Sequence, residues 1–229
     1  MLRLGSRGRA VVDVQARLKR ACYETMEVDG YFGEQTLIAA KRFQIQNGLV
    51  IDGIIGSQTS AVLNTLTNEG LLYLFIHCTA SPLSAIHVTG TWVKEYHTER
   101  KGWSRPGYSD VIELNGKLTN IYEYDHDTRT ERDEYTWGTR LLNRNSRHVC
   151  YVGGVDAHGE AEDTRTDAQM DTLAAYVKTQ IAYNPTLIVA GHNQVQRKAC
   201  PSFDVVDWAI SEGIALHNIA LWNNNFKLK

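Results

Sequence analysis

The stretch LLYLFIHCTA, residues 71–80, decides how the larger part of the chain is read. Leu71 to Ile76 are all apolar or aromatic and lead straight into His77 and Cys78. An apolar run this short reads as a strand buried on both faces, as in a parallel sheet covered by helices. It falls far short of the roughly 20 residues that cross a bilayer. Outward from it, strand and helix patterns alternate. Trp92 to Tyr96 reads as a helix that ends near Gly102. In VIELNGKL, 111–118, Asn-Gly sits between alternating residues, the strongest short-range hairpin signal. Val149 to Val152 is another apolar strand, running into Gly153 and Gly154. Between Asp167 and Ala182, Met170, Leu173, Ala174 and Val177 share one helical face. Thr186 to Ala190 reads as a strand and Val205 to Ile214 as a final helix. Mixed elements over about 160 residues predict an α/β domain with a mixed central sheet flanked by helices. The segment YEYDHDTRTERDEYT, 122–136, is dense in both charges and reads as a solvated loop or edge hairpin without chemistry.

Upstream, two similar octapeptides stand 23 residues apart, DGYFGEQT from Asp29 and DGIIGSQT from Asp52. Asp-Gly is turn chemistry, because glycine tolerates positive φ. Val11, Val14 and Leu18 precede the first copy at helical spacing, Leu37, Ala40 and Phe43 follow it, and Ala61, Val62 and Leu66 follow the second. Two copies are too few to stack into a solenoid. The pattern predicts a small all-α domain of three helices over residues 1–66. Thr67 to Gly70 would then be a polar linker, and 71–229 the α/β domain.

Composition bounds the function. Of 229 residues, 43% are hydrophobic and 22% charged, which is globular composition and argues against wholesale disorder. The net charge of -2 divides into +2 for residues 1–66 and -4 for the rest. That balance excludes a strongly basic nucleic-acid binder, and no nucleic-acid partner is expected. The four cysteines (Cys22, Cys78, Cys150, Cys200) form no CxxC pair. In a chain long enough to bury a real core, reduced thiols or a metal ligand are expected rather than disulfides. No run is long enough for stable membrane insertion. The first residues, MLRLGSRGRAVV, lack the apolar segment of a cleaved signal peptide. A monomer is expected.

Three residues stand at or just after strand ends. His77 closes the first strand, His192 closes TLIVAGH, and Cys200 follows eight residues later in KACPSFD. Two imidazoles and a thiolate suit a catalytic zinc, which takes three protein ligands and keeps one position open. The same residue types also occur as structural histidines and as buried cysteine. Strand alternation turns Cys78 away from His77 and into the core, and Cys150 reads the same way. His97 could line a cleft. His87, His126, His148, His158 and His217 read as surface residues or as members of local hydrogen bonds.

The motifs LRLGSRG, VxxxQxxL from Val11 to Leu18, VDGYFGEQT, FQIQNGL and DGIIGSQT resemble the peptidoglycan-binding domain found beside many cell-wall hydrolases. From Leu72 to Gly213 the chain resembles the zinc-dependent N-acetylmuramoyl-L-alanine amidase family, especially its small phage lysozyme-amidases. The resemblance is carried by FIHCTAS, HTERKGW, GYSDVIELNGKL, CYVGGVDAHG, TDAQMDTL and KACPSFD, in that order. It implies one zinc per chain on His77, His192 and Cys200. It implies that Tyr108 and Lys198 assist catalysis; the Lys198 ammonium can stabilise the charge that develops on the carbonyl oxygen, and Tyr108 can relay a proton or hydrogen-bond the oxyanion, with positioning and polarising favoured over acting as sole base. It also implies peptidoglycan as partner, with Tyr31 and Phe32 touching sugar or peptide. The whole would be a modular phage endolysin, made in the host cytoplasm and acting on the wall at lysis. It would cut the amide between N-acetylmuramic acid and L-alanine. The alternative is a non-catalytic peptidoglycan-recognition protein, against which the retention of all three ligands argues. Two departures bear on substrate detail: Ser109-Asp110 follows Tyr108, where relatives place His or Asn and then an apolar residue, and WGTRLLNRNSRHVC, 137–150, lacks the usual His-Ala pair.

Overall fold

In the computed structural model, which describes residues 1–22, 27–66, 70–140 and 142–221, the run at 73–78 is strand β1, Tyr73–Cys78, buried along its whole length. Four more strands join it: β2 (Asp110–Ile112), β3 (Leu118–Asn120), β4 (Ser146–Tyr151) and β5 (Ile188–Gly191). Their order across the sheet is β3-β2-β4-β1-β5. β1 runs parallel to both β4 and β5, β2 runs parallel to β4, and only β3 is antiparallel. This is the mixed sheet expected from sequence. The Asn115-Gly116 turn closes β2 onto β3, with Gly116 at φ 82° and Glu113 N–H donating to the Lys117 carbonyl at 2.9 Å.

Alternation gives β1 two different faces. Leu74, Ile76 and Cys78 pack against Leu173, Val177, Trp208 and Ala209 of helices α5 (Asp167–Tyr183) and α6 (Val205–Ser211). The other face carries Tyr73, Phe75 and His77, and β4 aligns His148 with Phe75 and Cys150 with His77. Cys78 and Cys150 are core residues, as expected, while the Cys22 side chain lies outside the described residues. α5 starts on a capping box: Gln169 N–H donates to Thr166 Oγ1 and Thr166 N–H to Gln169 Oε1, so two otherwise unpaired donors are satisfied. The Trp92 helix is α4 (Gly90–Glu95), prolonged by a π-helical turn over Tyr96–Arg100. Residues 122–136 form a loop. Linker residues 67–69 and the tail 222–229 lie outside the described residues. No described helix is long and apolar enough to cross a membrane.

In the N-terminal domain α1 (Arg9–Cys22), α2 (Glu34–Gln46) and α3 (Ser57–Leu66) surround Val11, Leu18, Phe32, Phe43, Ile55 and Leu63. The repeat is explained by two equivalent clamps. Gln15 Nε2 donates to Asp29 Oδ1, the Tyr31 carbonyl and Thr36 Oγ1, and its Oε1 accepts from Gly30 N–H. Gln44 does the same with Asp52 Oδ1, the Ile54 carbonyl, Thr59 Oγ1 and Gly53 N–H. Each Asp-Gly…Thr frame therefore wraps one buried glutamine. The expectation for Phe32 is corrected: it is fully buried and packs the core, so it does not reach a wall polymer. Tyr31 is 38% exposed, with the Arg7 guanidinium 4.1 Å above its ring.

Gln44→Ala leaves the Gly53 N–H and the Ile54 carbonyl without their buried partner. A loss of about 2–3 kcal/mol is expected in urea titration of the full chain, and a loss below about 0.5 kcal/mol would show that the clamp carries no stability.

Candidate metal centre

Because β1, β4 and β5 are parallel, their C-terminal ends share one edge of the sheet, where open α/β sheets gather ligands. His77 is the penultimate residue of β1, and His192 is the first residue after β5. The register Ile76↔Gly191 sets the two side by side. Cys200 arrives on the following loop, which is tied down by Tyr151 Oη donating to the Pro201 carbonyl at 2.6 Å. The Cys78 N–H donates to Cys200 Sγ at 3.3 Å.

His77 Nδ1 lies 3.0 Å from His192 Nδ1 and 3.7 Å from Cys200 Sγ. One donor atom from each of the three residues lies within 4.8 Å of the others. Ligand atoms sharing a tetrahedral zinc stand about 3.3 Å (N to N) and about 3.6 Å (N to S) apart, given the usual bond lengths. The spacing observed here brackets those values. His192 Nε2 is 3.0 Å from Gln196 Oε1, an acceptor, so Nε2 carries the proton and Nδ1 presents a lone pair toward His77. A buried lone pair facing another ring nitrogen is the arrangement a shared cation satisfies.

The electrostatics agree. Burial, then the charges that would form on His192, His148 and Lys198, hold His77 well below its ordinary range. Burial and Lys198 take His192 down to about 4, against the opposing effect of Gln196. Both rings are therefore neutral, the form that ligates metals. Burial, then Cys78, pushes the Cys200 thiol well up, a balance that a coordinated dication reverses. Two imidazoles and one soft sulfur form a zinc-type donor set.

The other expected residues surround this cluster. The half-buried Tyr108 ring is 4.9 Å from that of His77 and 5.3 Å from that of His97. Burial pushes its hydroxyl well above the ordinary phenol range, so at neutral pH it is an O–H donor and not a base. His97 Nδ1 accepts from Gly107 N–H at 3.2 Å, and its ring stacks on Trp103 at 4.8 Å. Burial, then Lys101, brings His97 to about 4. His97 and Tyr108 line a cavity of about 230 Å³ together with Thr79, Ser81, Trp92 and Tyr96. Lys198 is exposed, and its charge is felt by both His77 and His192.

One residue departs from its sequence reading. His148 is neither on the surface nor in a local hydrogen bond. It is fully buried, with Nδ1 3.0 Å from His77 Nε2. The signal was strand length: β4 begins at Ser146, three residues earlier than its apolar core, so His148 shares the inner face with Cys150. His87, His126, His158 and His217 are exposed, as expected.

A family model for N-acetylmuramoyl-L-alanine amidases matches residues 68–203, and a model for a peptidoglycan binding domain matches residues 7–63. The chain belongs to the N-acetylmuramoyl-L-alanine amidase family. The amidase is 33% identical over 137 residues to the endolysin of Escherichia phage T7, covering 59% of this chain and 83% of that protein. It is 33% identical over 138 residues to the endolysin of Klebsiella phage KP32, with the same coverage of 59% and 83%. Its fold is that of the endolysin amidase LysCS from Clostridium intestinale URNW, with a TM-score of 0.50 at 17% identity, over 65% of this chain and 87% of that one.

The buried neutral histidines give the amidase a signed pH dependence. His97, His148 and His192 sit at about 4, about 3 and about 4 in the folded chain, each below the ordinary 6.5. The unfolded chain binds more protons between those values and 6.5, so stability is full above pH 6.5 and falls as pH drops toward 4. With His77 held lower still, these four histidines of the metal-free protein are expected to take up about three to four protons on unfolding at pH 5, read from the slope of unfolding free energy against pH. A flat profile between pH 7 and 5 would contradict the neutral assignment.

Proposed function

We propose that the chain is a zinc-dependent N-acetylmuramoyl-L-alanine amidase acting as a modular phage endolysin. It would cleave the amide joining N-acetylmuramic acid to L-alanine of the stem peptide. The observation that carries this reading is the convergence of His77 Nδ1, His192 Nδ1 and Cys200 Sγ at the C-terminal edge of a parallel sheet in a member of this family. Those three residues would hold one zinc ion. When bound, zinc supplies Lewis acidity and a nucleophile at neutral pH.

The chain's own groups supply the rest. The Tyr108 hydroxyl is a hydrogen-bond donor at the cleft and polarises the scissile carbonyl without taking a proton. The Lys198 ammonium offers positive charge to the oxygen that becomes negative as the amide is attacked. The cavity along Thr79, Trp92, Tyr96 and His97 takes the part of the substrate next to the cleaved bond. The N-terminal domain holds the polymer, with exposed Tyr31 as an aromatic contact, and raises the effective concentration of the catalytic domain at an insoluble substrate. The relatives named endolysin support action on the wall at lysis.

Mass spectrometry of digested sacculi tests the reaction. Free stem peptides beginning with L-alanine are expected, and new reducing sugar ends in their place would overturn the amidase reading. Purified protein is expected to carry about one zinc per chain. Cys200→Ser is expected to abolish cleavage while the full chain still sediments with sacculi. Lys198→Ala is expected to lower kcat by about 10²–10³ with KM little changed. Full activity in Cys200→Ser would remove that residue from the site.

A further inference from the structure

His148 has a set of contacts that packing alone does not explain. Its ring lies parallel to Phe75, with centroids 5.8 Å apart and 15° between planes. The backbone at Gly138 presses against it so closely that a Cβ there would come within 2.4 Å of Nδ1 and 2.5 Å of Cγ. The strand backbone is fixed as well, since Ser109 N–H donates to the His148 carbonyl at 2.9 Å. The ring is confined between Phe75 and the Gly138 backbone. There Nδ1 meets His77 Nε2 at 3.0 Å, while Nε2 is buried and has no hydrogen-bond partner among the described residues.

The tautomers follow in sequence. His77 Nδ1 faces His192 and Cys200, so a lone pair must be there if that atom is to ligate. The single proton of neutral His77 then sits on Nε2. His148 Nδ1 must accept it, which leaves the proton of His148 on its own Nε2, the atom without a partner. On the other side of the cluster Gln196 Oε1 performs the same service for His192. A ligating histidine commonly donates its remote N–H to a carboxylate, a carbonyl or water. Here an imidazole stands in that place.

We propose that His148 is a positioning residue of the metal centre, accepting the His77 Nε2 proton at its Nδ1 and thereby fixing the tautomer and ring that offer His77 Nδ1 to the metal. The inference rests on the zinc reading above. A buried N–H without a partner opposes folding, so a residue kept only for structure would be better replaced by an apolar side chain of similar size. Loss of the acceptor is therefore expected to show in metal affinity and not in the stability of the metal-free chain, whereas a purely structural role would leave metal affinity unmoved.

The test uses the full chain with His148→Leu, which removes the acceptor, and His148→Asn, whose Oδ1 stands close to where Nδ1 was. Zinc affinity is measured by competition with a chromophoric chelator, and thermal unfolding is followed on metal-free protein. His148→Leu is expected to bind zinc about 10–100-fold more weakly while its metal-free melting temperature is no lower than that of the unmutated chain. His148→Asn is expected to recover most of that affinity. In ¹⁵N imidazole spectra of the zinc-loaded unmutated chain, His77 and His148 are both expected to carry their proton on Nε2, a measurement independent of how the variants fold. Unchanged zinc affinity in His148→Leu, failure of His148→Asn to recover it, or a proton on His148 Nδ1 would each overturn the proposal. If the unmutated chain takes up no zinc, the metal reading itself falls, an outcome separate from the others.

Discussion

Parallel pairing of β1 with β4 and β5 is the constraint on which the rest of the catalytic domain depends. In a parallel sheet all strand ends of one sense lie on one edge, so residues remote in sequence become neighbours there without any contact between their helices. The register Ile76↔Gly191 sets His77 beside His192, and the loop held by Tyr151 and Pro201 brings Cys200 to the same edge. A slip of one residue in β1 would exchange His77 for Cys78 on the inner face and turn the imidazole into the layer of α5 and α6. Register is held because both faces of β1 are buried, with Leu74 and Ile76 on one side and Tyr73 and Phe75 on the other. The apolar run that makes the strand recognisable is thus also what aims the histidine.

That dual use explains what could be read in the sequence. β1, the Asn115-Gly116 hairpin and α5 announce themselves through local signals: apolar run length, turn chemistry and helical periodicity. The triad His77, His192 and Cys200 was only suggestive by spacing and became specific through linked motifs. His148 carries no such signal, because its strand starts with Ser146 and Arg147, polar residues that read as loop in the sequence. Both are buried: Ser146 Oγ donates to the nearby Leu142 carbonyl at 2.8 Å, and Arg147 reaches across the fold to donate to Gln180 and lies over the Tyr124 ring at 3.6 Å. Phe32 was misjudged for the converse reason. Beside the exposed Tyr31 it looked like half of an aromatic surface pair, yet consecutive residues at a turn point in different directions, and one of them closes the core.

The repeat in the first domain shows a second way in which pattern and function separate. Asp29 and Asp52 are held below the ordinary carboxylate range, Asp29 by Gln15 and then the Tyr31 N–H, Asp52 by the Ile54 N–H and then Gln44. Every recurring polar residue of the octapeptides that bonds to the glutamine is used internally: the Asp accepts, the Gly donates, and the Thr accepts. What repeats is therefore scaffold. Where the copies differ, one residue can be turned outward, as the exposed Tyr31 stands against Ile54, and a search for similarity passes over such a difference.

The site in the second domain inverts this logic. There the recurring theme is neutrality: His77, His97, His148 and His192 are all kept uncharged chiefly by burial, so the pocket contains several lone pairs, with the exposed charges of Lys198 and Lys101 at its margin. A cluster of that kind is poorly arranged as a proton store but well arranged to receive a dication, since each ring must be deprotonated before it can ligate. The two outer partners, Gln196 and His148, are then more than neighbours. As acceptors on the remote side of each ring, they favour the tautomers in which both Nδ1 lone pairs face the space between His77, His192 and Cys200. The unpartnered Nε2 of His148 goes with that arrangement, since the proton it carries is the one that leaves Nδ1 free to accept from His77.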